Sequence, residues 1–200
     1  GVADLDREGG RIAVGHKTAY DLYLTREIRR ATLERGPSSG AAIDLFMDIN
    51  FGRTSDVYRK LVEQEQKVDQ FFAGGSDNVD PELITIFARV KKGEDALYVR
   101  DEILRAVAAS RAAKIDARKL EEAKSNTRYS FTARLDNTDT IAGTLARFVR
   151  YRRSYDTINN VYRVYASLTP GDLEAAAKRY FVDESLVVTT LAQQPLGDEM

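Results

Sequence analysis

A chain of 200 residues, 43% hydrophobic, has room for one large domain or two small ones and buries enough surface to fold without staples. With 30 basic and 31 acidic side chains its formal charge is -1, so no global field draws in nucleic acid or an anionic membrane. It has no cysteine, which excludes disulfides, thiolate metal sites and a thiol nucleophile, and its single histidine, His16, excludes metal sites built on several imidazoles of this chain.

No apolar run approaches the roughly 20 residues of a membrane span. The N-terminal GVADLDREGG has neither the basic nor the apolar region of a signal peptide. The chain is therefore expected either to stay where it is made or to derive from a longer precursor.

The first 15 residues are polar, with a short strand candidate at Arg11–Val14. Lys17 to Arg35 reads as a charged helical stretch stopped by Gly36-Pro37. Ser38-Ser39 can cap a helix from Gly40 to Ile49, with Ala41, Ala42, Leu45, Phe46 and Ile49 at helical spacing. Gly52 breaks it, and Thr54-Ser55-Asp56 starts another helix carrying Val57, Leu61 and Val62.

The period then changes to two. Val68–Ala73 and Leu83–Val90 read as antiparallel strands joined by a loop with Gly74-Gly75 and Asp80-Pro81. Ile84, Ile86, Ala88 and Val90 share one face, while the more mixed Leu83, Thr85, Phe87 and Arg89 share the other. That pattern suits a sheet covered mainly on one side.

After Gly93 the helical period dominates. Apolar stripes run through Leu97 to Ala108, Leu120 to Leu135, Ile141 to Val149 and Ile158 to Tyr165. Thr169-Pro170-Gly171-Asp172 is a helix start, with Thr169 as N-cap, and that helix is expected to run to Tyr180. Leu186–Leu191 reads as a last strand. Helices and strands are segregated, so the expected class is α+β with a mostly antiparallel sheet and helices packed on one face. No repeat or flexible linker divides the chain, which is expected to be a single domain over 1–200.

Few residues point to chemistry. Asp4 to Gly9 starts like a calcium loop, but the twelfth position is Gly15 where a Glu is needed. His16 has no second histidine or acidic partner at metal spacing. Arg147, Arg150, Arg152 and Arg153, interleaved with Phe148, Tyr151 and Tyr155, could bind single strands. Phe148, however, belongs to an apolar stripe, and cations are favoured at a helix C-terminus anyway. The cluster Asp136-Asn137-Thr138-Asp139 reads as a turn with a helix cap. No phosphate loop, nucleophile elbow or zinc-ligand pair occurs.

The segment Phe51-Gly52-Arg53-Thr54-Ser55-Asp56-Val57-Tyr58-Arg59-Lys60-Leu61-Val62 resembles the helix-to-helix signature of the pitrilysin/insulinase family of zinc metallopeptidases. Val68–Ala73 and Leu83–Val90 fit the extended segments that follow it. Leu168-Thr169-Pro170-Gly171-Asp172-Leu173, with Ala176, Tyr180 and Phe181, is similar to an element near the family's domain end. Leu186–Leu191 would be the closing strand. The resemblance covers about 41–192, and residues 1–40 read as an atypical or truncated segment.

The resemblance implies one half of a two-part peptidase whose halves enclose a chamber. Only one half carries the inverted zinc motif H-x-x-E-H. Here His16 is followed by Lys17, Thr18, Ala19 and Tyr20, so this chain resembles the non-catalytic half. Many inactive halves place an Arg and a Tyr against the substrate peptide. The matching positions here are Val62 and Asp69, so that pair is not carried over.

No catalytic, cofactor or metal residue is expected in this chain, and no substrate-binding residue can be named. Zinc is expected only in a catalytic partner half. Expected partners are that half, unfolded or short peptides, and a second copy of the chain, with the periplasm favoured by the resemblance over the cytoplasm. The alternative is an interaction or assembly domain of the same fold without a peptidase role.

Overall fold

The computed structural model describes residues 6–8, 11–15, 19–36, 39–75, 83–152 and 156–192, and His16 lies outside them. The chain forms two compact units: Gly1–Ala42 with Leu135–Leu168, and Ile43–Arg134 with Thr169–Met200.

The first unit contains β1 (Arg11–Gly15), α1 (Ala19–Glu27) and β2 (Thr32–Gly36). The two strands pair in parallel, from Arg11 opposite Thr32 to Gly15 opposite Gly36. The helical stretch expected up to Arg35 therefore ends at Glu27. A side chain from far upstream explains the change of course. Asp6 accepts backbone N–H groups from Arg29 (3.0 and 2.9 Å), Arg30 (2.6 Å) and Ala31 (2.9 Å). Amides bonded to a carboxylate are lost to the helix ladder, and the chain turns into β2. The bonds to Ala31 and Arg30 hold the Asp6 carboxyl below its ordinary range. Two packed helices, α6 (Thr138–Arg152) and α7 (Asp156–Ser167), complete the unit.

The second unit takes its core from α2 (Ser39–Phe51) onward. From Ile43 this helix is apolar on most sides and correspondingly buried: Ile43, Leu45, Phe46, Met47 and Phe51 are all inside. Gly52 then turns the chain. A Cβ there would stand 2.3 Å from the carbonyl oxygen of Asp48, which only glycine avoids. Ser55 caps the next turn, its hydroxyl accepting the N–H of Tyr58 at 3.3 Å.

That turn, α3 (Asp56–Tyr58), widens into a π-helix over Arg59–Gln64, and Val57 and Leu61 are buried on it. Gln66 ends it at φ 52°, in the left-handed region. A non-glycine residue there is strained by about 1–2 kcal/mol, partly offset by the entropy glycine loses on folding. Gln66→Gly is therefore expected to raise stability by about 0.5–1 kcal/mol, read as a higher urea midpoint at unchanged slope.

β3 (Val68–Gly74) and β4 (Thr85–Val90) form an antiparallel pair with a bulge between Val68 and Gln70. The alternation is as the pattern requires. Ile84, Ile86, Ala88 and Val90 are half-buried, and Leu83, Thr85, Phe87 and Arg89 are exposed. Phe72 and Phe87 stand opposite each other with stacked rings, centroids 4.8 Å apart, on the exposed face. On the covered face the ring of Tyr58 meets Phe71 edge-on at 6.0 Å.

The helices α4 (Ala96–Ala112), α5 (Ala117–Arg134) and α8 (Pro170–Tyr180) complete the core with Val99, Leu120, Leu173 and Ala177. The start of α8 is the expected capping box: Thr169 N–H donates to Asp172 Oδ2 at 2.8 Å and Asp172 N–H returns to Thr169 Oγ1 at 3.4 Å. Past its end Phe181 packs on Phe46, ring centroids 5.1 Å apart. Arg111 of α4 donates to the Phe181 carbonyl at 3.0 Å and to Asp183 at 2.8 Å.

Leu186–Leu191 is not a strand. It pairs with no other segment among the described residues. Its β-branched residues supply propensity, but a strand forms only where a neighbour offers a ladder, and none lies beside it.

Candidate functional site

One group of ion pairs in the second unit lies along a seam where α3, the π-helix and the start of β3 face the first half of α4. Wide π-helical turns often accompany functional sites. Lys60, on the π-helix, reaches Glu102 of α4 at 2.8 Å. Arg105, one turn on, pairs with the other oxygen of the same carboxylate. Only 11% of the Glu102 side chain is exposed, so two cations compensate one largely buried anion.

The seam continues toward the sheet. Tyr98 donates its hydroxyl to Glu65 at 2.8 Å, and the other Glu65 oxygen is buried with no hydrogen-bond partner. Lys60 and Lys67 both lie against the Tyr98 ring, 5.6 and 5.3 Å from its centroid. Lys67 pairs with Asp95.

Beside the seam lies a cleft of about 260 Å³, lined by Asp56, Val57, Lys60, Glu102, Arg105 and Ala106 among others. The ionisations of its central groups are locked. Hydrogen bonding from Lys60, then from Arg105, holds Glu102 below the ordinary carboxylate range, and the bond to Glu102 holds Lys60 above the ordinary amine range. A general acid or base needs a proton affinity near the working pH, and these groups are driven away from it. The seam suits charge-paired packing between the π-helix and α4.

The sign of the pH dependence follows. Because the folded pKa of Glu102 lies below the ordinary glutamate value, its contribution to stability is present above that ordinary value and fades as acid takes it through the folded pKa. Glu102→Gln is expected to lower the urea midpoint at neutral pH and to flatten the acid limb of the stability curve. The two proteins should converge at low pH.

Where they are described, the residues singled out in the sequence fall on several separate elements. Arg147, Arg150 and Arg152 lie on α6, and Arg153 falls outside the described residues. In the acidic cluster Asn137 caps α6, accepting Thr140 N–H at 2.8 Å and donating to Asp136 at 2.7 Å. Asp6 anchors backbone amides, as described above.

Val62 is half-buried, and exposed Asp69 is held by a two-pronged bond from Arg89, at 2.8 and 2.9 Å. Among the described residues no group of three or more acidic, His or Cys side chains could hold a metal ion, and no helix is long and apolar enough to cross a membrane. The Lys60–Glu102–Arg105 cluster was not legible in the sequence because Lys60 lies some 40 positions before the other two. The one local signal was Glu102 and Arg105 at i, i+3 in a helical stripe.

The chain matches no family model and no curated protein sequence. Solved structures do match. A protease from Helicobacter pylori superposes over 72% of this chain and 35% of its own, with a TM-score of 0.63 and 20% identity. The inactive peptidase domain of a proposed zinc protease from Bordetella parapertussis covers 80% of this chain and 87% of its own, at TM-score 0.63 and 16% identity. An M16 peptidase inactive domain from Pseudomonas fluorescens covers 70% of this chain and 34% of its own, at TM-score 0.59 and 17% identity. This chain thus spans about a third of the Helicobacter and Pseudomonas chains and most of the Bordetella domain. At 16–20% identity these superpositions show the fold: over 70–80% of its length the chain is similar in fold to these peptidase domains.

Proposed function

We propose that this chain is the non-catalytic half of an insulinase-type zinc metallopeptidase, packing against a catalytic half and supplying one wall of a peptide-enclosing chamber. The observation that carries the reading is the superposition on an inactive peptidase domain over 80% of this chain. The ion-paired seam around Glu102 agrees with it, since it sets charged and polar groups beside an open cleft. A closed chamber admits unfolded or short peptides and excludes folded proteins by size. Zinc would belong to the partner half, where an H-x-x-E-H motif supplies ligands and leaves a position open for water.

The test is a co-purification and a quenched-peptide assay. The isolated chain is expected to carry no stoichiometric zinc and to leave the peptide intact. A complex with a catalytic half bearing H-x-x-E-H is expected to cleave it, and a chelator to abolish that cleavage. Chelator-sensitive cleavage by this chain alone, or failure to bind any catalytic half, would overturn the reading.

A further inference from the structure

We propose that two copies of this chain pair by reciprocal strand exchange, Leu186–Leu191 of each adding to the outer edge of β4 in the other. Both halves of the contact belong to the second unit. The donor is Leu-Val-Val-Thr-Thr-Leu, six residues without charge or proline and rich in β-branched side chains. It pairs with nothing among the described residues, and its apolar members stand in solvent: Leu186 is 50% exposed, Val187 72%, Val188 50% and Leu191 100%. Neither charge nor bulge nor proline protects it from pairing.

The acceptor is β4, also six residues long and the outer strand of a two-stranded sheet. A two-stranded sheet is marginal alone and gains from a third strand. The bulge in the pair falls on β3, so the β4 edge is the regular one. Its single charge, Arg89, is already bonded to Asp69. Side chains fit on both faces. Leu186 and Val188 would extend one apolar row and Val187 and Leu191 the other, beside exposed Phe87 and half-buried Ile86.

Among the described residues the segment does not pair with the chain's own hairpin. It leaves the fold just after Asp183, which Arg111 ties to the C-terminal end of α4. A second copy offers the same edge, and a two-fold axis makes the exchange self-completing.

Sedimentation equilibrium of the full chain over a concentration series is expected to show a dimer. Val188→Pro removes a ladder donor from a segment that pairs with nothing among the described residues. It is expected to weaken association at least tenfold while leaving the circular dichroism spectrum and thermal midpoint of the dilute monomer unchanged. The cysteine-free background permits a second measurement. Chains carrying Val188→Cys, mixed with chains carrying Phe87→Cys, are expected to form mixed disulfide dimers on mild oxidation, in clear excess over mixtures with the exposed Tyr129→Cys.

A monomer at every concentration, a dimer unmoved by Val188→Pro, or equal cross-linking to Tyr129→Cys would overturn the exchange. So would closure of a Val188→Cys, Phe87→Cys double variant within one chain. A monomer that loses a catalytic half on Val188→Pro would give the segment to that partner instead. Because the chain is tested alone, these outcomes leave the peptidase reading standing or falling on its own assay.

Discussion

Leu61→Asp is expected to abolish folding of the second unit, with native circular dichroism lost in the absence of denaturant. Leu61 is 0% exposed on the π-helix, in the buried set that includes Val57, Phe46 and Leu173. An aspartate in its place is either ionised without a partner or protonated with unmet hydrogen bonds. Each state costs several kcal/mol against a total stability of about 5–15. Leu61→Met, which keeps the volume, is expected to cost under about 1.5 kcal/mol and serves as the folded control. Equal urea midpoints for the two variants would mean that Leu61 is not inside.

Gly52→Ala is expected to destabilise the same unit by about 2 kcal/mol, a large effect for one methyl group. The added Cβ would lie 2.3 Å from the Asp48 carbonyl oxygen and 2.7 Å from its Oδ1, while the Gly52 N–H donates to that same carbonyl at 2.9 Å. Relief requires moving backbone at the C-terminal end of α2, which carries Phe46, Met47 and Phe51 into the core. Trimming the side chain tests which oxygen matters. Asp48→Ala in the Gly52→Ala background removes Oδ1 but leaves the carbonyl, so the urea midpoint is expected to remain low. Full recovery would assign the effect to the carboxylate. Burial raises the Asp48 carboxyl, so Asp48→Ala alone is not expected to cost charge-based stability at neutral pH.

What could be read from the residues was what local chemistry decides. The Gly52 turn, the Ser55 and Thr169 caps, the alternating faces of β4 and the helical span to Tyr180 all rest on neighbours within four positions. What could not be read depends on distant groups. Thr32–Gly36 sits in a charged stretch with helical propensity, yet Asp6 captures three amides 23 to 25 positions away and β1 supplies a ladder. Leu186–Leu191 shows the converse, with propensity present and no paired strand among the described residues. The π-helix left no trace because an apolar stripe read at 3.6 residues per turn still passes through Val57 and Leu61. The cleft beside Glu102 was invisible for the same reason as the ion cluster, since its walls come from α3, the π-helix and α4.

The interleaving of the two units along the chain has a consequence for synthesis. The second unit needs residues on both sides of 135–168, and its late part is held by contacts of long sequence separation. Phe181 covers Phe46, Arg111 grips the Phe181 carbonyl across 70 positions, and Glu174 accepts the Ile115 N–H across 59. While the ribosome is still adding residues 135–168, α2, the hairpin, α4 and α5 have already been synthesised and α8 has not, so the surface meant for α8 has nothing to cover it. The core that starts first is therefore sealed last, and closure waits on a loop whose entropy grows with every residue inserted between its halves. A nascent chain of this protein exposes the apolar face of α2 for the whole time the intervening helices are being made, which is the interval in which a chaperone has most to hold.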